Sequence, residues 1–277
     1  MRDGFLHRFL RHPAALAGAS ILGLIALAAL LAGVLAPGSP QAIAGSPFLW
    51  PGEEGHWLGT DVLGRDILAG LLFGARVSLL VGLGAAGLSI LLGVVTGTVA
   101  GYYRGRVDDA LMRLTEAVQT MPSLVFTIVV VVVAGPSLPS IVLAIGLTGW
   151  PQVARLVRAE ALRLRQAEFV QAAIASGLGD AAILARHVVP NAISPVVVAA
   201  SILVAHAILT EASLAFLGLG DPNAVSWGSM IGTAREALRS GWYMAAIPGL
   251  AICVAVLGIS LLGSGLNDLL NPRLRDG

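Results

Sequence analysis

Three groups of residues in this 277-residue sequence have types and spacings that could do chemistry. His206 and Glu211 stand in a segment otherwise free of charge. Ionisable groups inside an apolar span are functional candidates by default, because burying them costs free energy. With Glu116, in the first half of another apolar segment, they are the whole intramembrane set, too thin for an ion-coupled carrier. Glu211 falls near a predicted outer end where water reaches it, so structural or interfacial roles outweigh direct transport for both. The second group is His56, Asp61 and Asp66, with Arg65 between the two aspartates. One His and two Asp at loop spacing are common without a metal. Gly59 and Gly64 allow tight bends, and Asp61, Arg65 and Asp66 can pair locally. The expected role of His56, Gly59, Asp61, Gly64, Arg65 and Asp66 is therefore scaffolding of an outer face, with no metal. The third group, around Gln171 and Asp180, is Ala- and Gly-rich and suits docking more than catalysis.

What is missing narrows the chemistry further. All 17 basic residues are Arg. A P-loop needs a Lys that reaches the phosphates, so this chain has none and is expected not to hydrolyse ATP. No H-E-x-x-H zinc helix occurs. The single cysteine, Cys253, lies in an apolar run and reads as core packing. No catalytic residue and no cofactor of its own are expected.

The elements that must position these residues are membrane spans. Hydrophobic residues make up 56% of the chain, charged residues 12%, and the mean hydropathy is +0.85. Soluble domains carry about 25% charge. A spanning helix needs about 20 apolar residues, and six candidates are present: Pro13 to Ala36, Val77 to Ala100, a third ending near Ala134, Leu138 to Arg155, Asn191 to Ala212, and Tyr243 to Leu266. The uncharged stretch between Glu116 and Arg155 is split by Gly135-Pro136-Ser137-Leu138-Pro139, a turn sequence. Placing the N-terminus in the cytoplasm puts 13 arginines inside and 4 outside, as the positive-inside rule asks; both termini are then cytoplasmic. Residues 1–36 form a cytoplasmic start and first span, 37–75 an outer loop, and 76–277 a five-helix core with a cytoplasmic loop at 156–190. A further outer loop runs from Leu217 to Trp242. Gly82, Gly84, Gly87, Gly93 and Gly97 suggest close helix packing. Pro122, Pro151, Pro195 and Pro248 mark possible kinks.

The cytoplasmic loop is the most informative segment. Phe169, Ala172, Ala173 and Ser176 follow the spacing of one helix face. Small residues there let another surface approach closely. Gly177 and Gly179 can end that helix through positive φ, and Asp180 can cap a second. Pro190 opens the fifth span. The result is a rigid docking knob rather than a helix lying on lipid, which would favour Leu, Phe and Trp.

This loop resembles the "EAA" loop of ABC-importer permeases, roughly E-A-A-x-x-x-G and then I-x-L-P. The chain reads Gln171-Ala172-Ala173, Gly177, and Val188-Val189-Pro190, with Gln171 in place of the Glu. His56-Trp57-Leu58-Gly59-Thr60-Asp61-Val62-Leu63-Gly64-Arg65-Asp66 is similar to the H-P-L-G-T-D-x-x-G-R-D signature of the dipeptide/oligopeptide/nickel permeases. Gly74 to Leu79, Gly149-Trp150-Pro151, Glu211 to Gly220 and Trp227 to Met230 extend the likeness, most of all to the second permease of such systems. The resemblance implies an all-α integral membrane protein with six transmembrane helices and the type I ABC importer permease fold. It implies a bacterial inner-membrane subunit that forms half of a peptide path. A homologous second permease, two ATPase subunits holding ATP and Mg, and an extracytoplasmic binding protein would be partners; nucleic acid would not. Phe169, Gln171, Ala172, Ala173, Ser176, Gly177 and Asp180 would couple to the ATPase. Nickel or glutathione-like substrates, and a self-sufficient secondary transporter, are the alternatives.

Overall fold

A computed structural model describes residues 5–270. Eleven α-helices follow in order among them: α1 Phe5–Arg11, α2 Pro13–Leu35, α3 Ile67–Tyr103, α4 Gly105–Gln119, α5 Ser123–Ala134, α6 Leu138–Arg165, α7 Glu168–Ala175, α8 Asp180–Ile183, α9 Val189–Phe216, α10 Trp227–Ala234 and α11 Tyr243–Leu270. A π turn, Leu184–Val188, leads into α9. The described residues contain no strand beyond two isolated bridges, Ile43–Arg65 and Thr60–Asp66.

Five helices are long and apolar enough to cross a membrane: α2, α3, α6, α9 and α11. The third expected span differs from its sequence reading. It is a pair, α4 and α5, bent by 85° at Thr120–Pro122. Pro122 has no N–H, and its ring disfavours helical geometry at Met121. α4 is two-faced: Asp108 and Thr115 are buried, while Arg106, Asp109, Arg113 and Glu116 are exposed. Glu116 therefore sits on an amphipathic helix, not inside a span. α5 covers only about 18 Å by the helical rise per residue. Two other boundaries move. α3 begins at Ile67, capped by Asp66, and α6 continues to Arg165, so the expected loop starts ten residues late. Pro151, Pro195 and Pro248 lie within continuous helices; only Pro122 stands at a sharp break.

Small residues set the packing. Along α3, a Cβ added at Gly93, Gly97 or Gly101 would strike Val153, the Ala154 carbonyl or the Arg158 carbonyl of α6. The four-residue spacing puts all three on one face, where backbones approach closely. Gly82 meets Ile208 of α9 and Gly84 meets Val142, but Gly87 faces open space. All the expected glycines but Gly87 thus meet a neighbouring helix, and Gly101 joins Gly93 and Gly97 in one stripe against α6. α2 and α11 lie together through Gly18, Gly258 and Gly265. His12 Nε2 reaches Asp268 Oδ2 at 3.3 Å, so the start of α2 and the end of α11 share one end of the bundle. Cys253 is exposed on α11 rather than in the core.

Candidate functional site

The first site is the knob formed by α7, α8 and the π turn. α7 stops at Gly177, whose φ is +76°. Gly177 N donates to the Ile174 carbonyl (3.0 Å) and Leu178 N to that of Ala173 (3.2 Å). This left-handed stop satisfies the last carbonyls of the helix. Gly179 behaves differently from expectation: its φ is −69°, and it is the N-cap of α8. Asp180 is the first residue of α8 and caps nothing. Its Oδ1 instead accepts the Tyr102 hydroxyl from α3 at 2.8 Å.

The predicted small-residue face of α7 splits. Phe169, Ala172 and Ser176 are exposed together with Gln171, while Ala173 turns half-inward beside Val170. Val170, Ile183 and Val188 are wholly buried against Val157, Ala161 and Leu164 of α6 and Tyr102 of α3. The outward side carries Phe169 (46% exposed), Ile174 (37%) and Leu178 (38%). The knob therefore has an apolar root locked to the bundle and an apolar crown left bare. Gln171 Nε2 donates to the Arg165 carbonyl at 2.7 Å, closing the end of α6. A carboxylate at this position could not make that bond, because it has no proton to donate.

Two contacts here were not singled out in the sequence. The Arg165 guanidinium donates to the Tyr102 carbonyl and stacks 5.1 Å over the Tyr102 ring. Tyr102 thus joins α3, α6 and the knob. Arg158 of α6 grips Asp108 of α4 through two charge-assisted bonds of 2.5 and 2.6 Å. Nothing local signals either pair, since the partners are 50 or more residues apart.

The second site is a collar at the opposite end of α3. Asp61 Oδ1 accepts the Leu63 and Arg65 amides at 2.8 and 2.9 Å, and Asp66 Oδ1 accepts Leu68 N at 2.9 Å. His56 Nδ1 stands 3.9 Å from Asp66 Oδ2. Gly59 and Gly64 have φ of +78° and +77°, and a Cβ on either would strike the Leu49 or Gly45 carbonyl. Thr60 Oγ1 donates to the Ser46 carbonyl (2.6 Å) and accepts from Leu49 N (3.0 Å). Tyr243 of α11 donates to the Leu49 carbonyl at 2.7 Å. The local pairing of Arg65 with Asp61 runs through its backbone amide; its guanidinium makes no ion pair with either aspartate, and its Nε is buried without a partner.

His206 and Glu211 part company. Glu211 is only 2% exposed, correcting the idea that water reaches it; it faces Ser226, and its Oε2 has no partner. Ser226 and Ser229 form the capping box of α10. Beside it, Trp227 Nε1 donates to the Leu71 carbonyl at 2.9 Å. His206 is exposed in a cleft between α5, α6 and α9.

Residues 89–276 match the family described as "Binding-protein-dependent transport system inner membrane component". Residues 2–51 match the N-terminal TM domain of oligopeptide transport permease C. The chain belongs to this permease family. It is a multi-pass inner-membrane protein, and the family is that of a non-catalytic transport component. The glutathione transport system permease protein GsiD of Pectobacterium atrosepticum is 38% identical over 274 residues, covering 98% of this chain and 91% of that one. The di/tripeptide transport system permease protein DppC of Pseudomonas aeruginosa is 36% identical over 279 residues, covering 98% and 92%. The oligopeptide transport system permease protein OppC of Bacillus subtilis is 39% identical over 226 residues, covering 81% and 74%. Among solved structures, an inward-facing MetNI methionine ABC transporter matches with a TM-score of 0.61 at 15% identity, covering 73% of this chain and 96% of that chain. That likeness establishes the permease fold.

Proposed function

We propose that this chain is the second permease subunit of a binding-protein-dependent importer of di- and oligopeptides, and that it supplies half of the translocation path. The observation that carries the coupling role is the two-sided knob: its root packs into α3, α6 and α9, and its crown of Phe169, Ile174 and Leu178 is bare. The relatives at 36–39% identity, named for di/tripeptide, glutathione and oligopeptide transport, support the substrate class. Glutathione is itself a peptide, so it falls within the same reading.

In this mechanism the motor lies in two separate ATPase subunits that hold ATP and Mg. Their closure displaces Phe169, Gln171, Ala172, Ser176 and Gly177, while Val170, Ala173 and the Asp180–Tyr102 bond pass the motion to the bundle. A rigid element with two positions shifts the population of the spans between inward-open and outward-open. A homologous permease completes the path. The binding protein docks at the collar end, where His56, Gly59, Asp61, Gly64, Arg65 and Asp66 keep the surface in shape. The knob end is cytoplasmic. This agrees with the 13-to-4 division of arginines and with the His12–Asp268 contact, which sets the start of α2 and the end of α11 at one end of the bundle.

The test is co-purification of the detergent-solubilised complex with Gly177→Pro. Proline cannot take φ of +76° and loses the N–H that Ile174 accepts. The expected result is loss of the ATPases with retention of the second permease. A wild-type chain that transports peptides in proteoliposomes without any ATPase would overturn the reading in favour of a secondary transporter.

A further inference from the structure

The cleft between α5, α6 and α9 holds about 230 Å³ and is lined by Ser123, Thr127, Thr148, His206, Thr210 and Ser213. By the helical rise, Thr148 and His206 each lie about 15 Å below the collar-side ends of their helices. That is about half the thickness of a bilayer core. Leu124 and Leu209 also line the cleft and leave apolar surface uncovered there, at 40% and 48% exposure. A polar cluster at this depth is costly against lipid tails. It belongs on a surface facing a water-filled path or a ligand.

Four hydroxyl protons of this cluster are already spent. Thr127 donates to the Ser123 carbonyl (2.7 Å), Thr148 to that of Ile145 (2.8 Å), Thr210 to that of His206 (2.8 Å) and Ser213 to that of Leu209 (2.8 Å). A hydroxyl that back-bonds to its own helix keeps lone pairs and has no proton left to offer. Thr127 is buried at the floor, whereas Thr148, Thr210, Ser213 and the His206 ring are reachable. No charged side chain lines the cleft. At Thr148, Thr210 and Ser213 the reachable wall therefore presents acceptors without fixed charge, and the His206 ring adds one donor and one acceptor nitrogen. Such a wall suits a ligand rich in N–H donors and varied in side chain, which describes the backbone of an extended peptide.

We infer that Thr148, His206, Thr210 and Ser213 form half of a transient peptide-backbone subsite in the translocation path, reading N–H groups and not side chains. This rests on the peptide-permease reading above. A site without charge or deep pockets holds its cargo weakly, and weak holding at the midpoint lets cargo leave.

The experiment uses the whole complex, with second permease, ATPases and binding protein, in proteoliposomes. A mixed pool of di- and tripeptides is offered, and uptake is read by mass spectrometry beside ATP hydrolysis. The double variant Thr210→Val with Ser213→Ala keeps shape and removes two acceptors. The expected result is at least a fivefold fall in peptide uptake, across the pool, with ATP hydrolysis within twofold of wild type. Uptake within twofold of wild type overturns the subsite. Equal loss of uptake and hydrolysis also overturns it, by showing a structural role. As a second measurement, Ser213→Cys in a Cys253→Ser background is alkylated by a maleimide. Peptide-saturated turnover should slow that labelling at least threefold, and unchanged labelling counts against the subsite. A wild-type complex that hydrolyses ATP yet accumulates nothing from the pool would overturn the peptide-permease reading itself, and the subsite with it.

Discussion

The collar and the knob sit at opposite ends of α3 and are held in different ways. The collar is a mesh of backbone and polar hydrogen bonds, with two glycines at positive φ pressed against carbonyls and a tyrosine of α11 tied across it. Any shift there breaks several directional bonds together. The knob keeps its form through its own short helices and rests on the bundle through Val170, Ile183 and Val188. Dispersion and burial are non-directional, so such a contact can slide a little without being lost. Two polar bonds, Tyr102 to Asp180 and Gln171 to the Arg165 carbonyl, fix its setting. The contrast suits a static docking rim at one end and a moving coupler at the other.

Three substitutions probe that contrast, from the largest expected effect to the smallest. Gly64→Val drives a branched side chain into the Gly45 carbonyl at a left-handed backbone position. It should cost about 3 kcal/mol or more, seen as a large drop in the melting temperature of the purified complex. A collar that tolerates it would not be a rigid mesh. Val170→Ala empties a fully buried site beneath the knob, at a cost on the order of 2 kcal/mol. Its signature should be local: faster protease cleavage within residues 166–190 with the melting temperature nearly unchanged. Equal effects on both would show that knob and bundle unfold as one unit. Tyr102→Phe removes one hydrogen bond and leaves the ring under Arg165, worth about 1 kcal/mol. ATPase binding should survive while peptide moved per ATP falls severalfold; unchanged coupling would assign the transmission to apolar contacts alone.

The spans were legible because each is a long apolar run, and the left-handed stop at Gly177 because only glycine takes that backbone readily. Pro122 was marked as a kink position, and the break falls there; the absence of charge after Glu116 hid that it divides two helices, which read as one span. Its trace was present in the alternating faces of residues 105–119, a pattern of amphipathic helix and not of span. Spacing placed Ala173 with Ala172 on one face, but the rotation of about 100° per residue turns Ala173 toward Val170 and the core. Asp180 looked like a cap because it follows Gly177-Leu178-Gly179 and opens an Ala-rich run; its partner lies 78 residues upstream. The same limit hid Gly101, Arg158 and Asp108, whose roles exist only once α3, α4 and α6 stand side by side. His206 and Glu211, alike in sequence, differ because residues five apart on a helix face different neighbours.

The pairing of α2 with α11 carries a consequence for how the chain is made. α2 leaves the ribosome about two hundred residues before α11. At ordinary synthesis rates that is on the order of 10–40 s. Throughout that interval the Ala15 and Gly18 face of α2 has no partner, and lipid or a translocon-associated factor must stand in for it. When α11 arrives, its Gly258 and Gly265 complete the contact, and His12 and Asp268 meet. Closure of the bundle thus waits on the last helix, so a truncated product lacking α11 displays an open small-residue groove that membrane quality control can recognise.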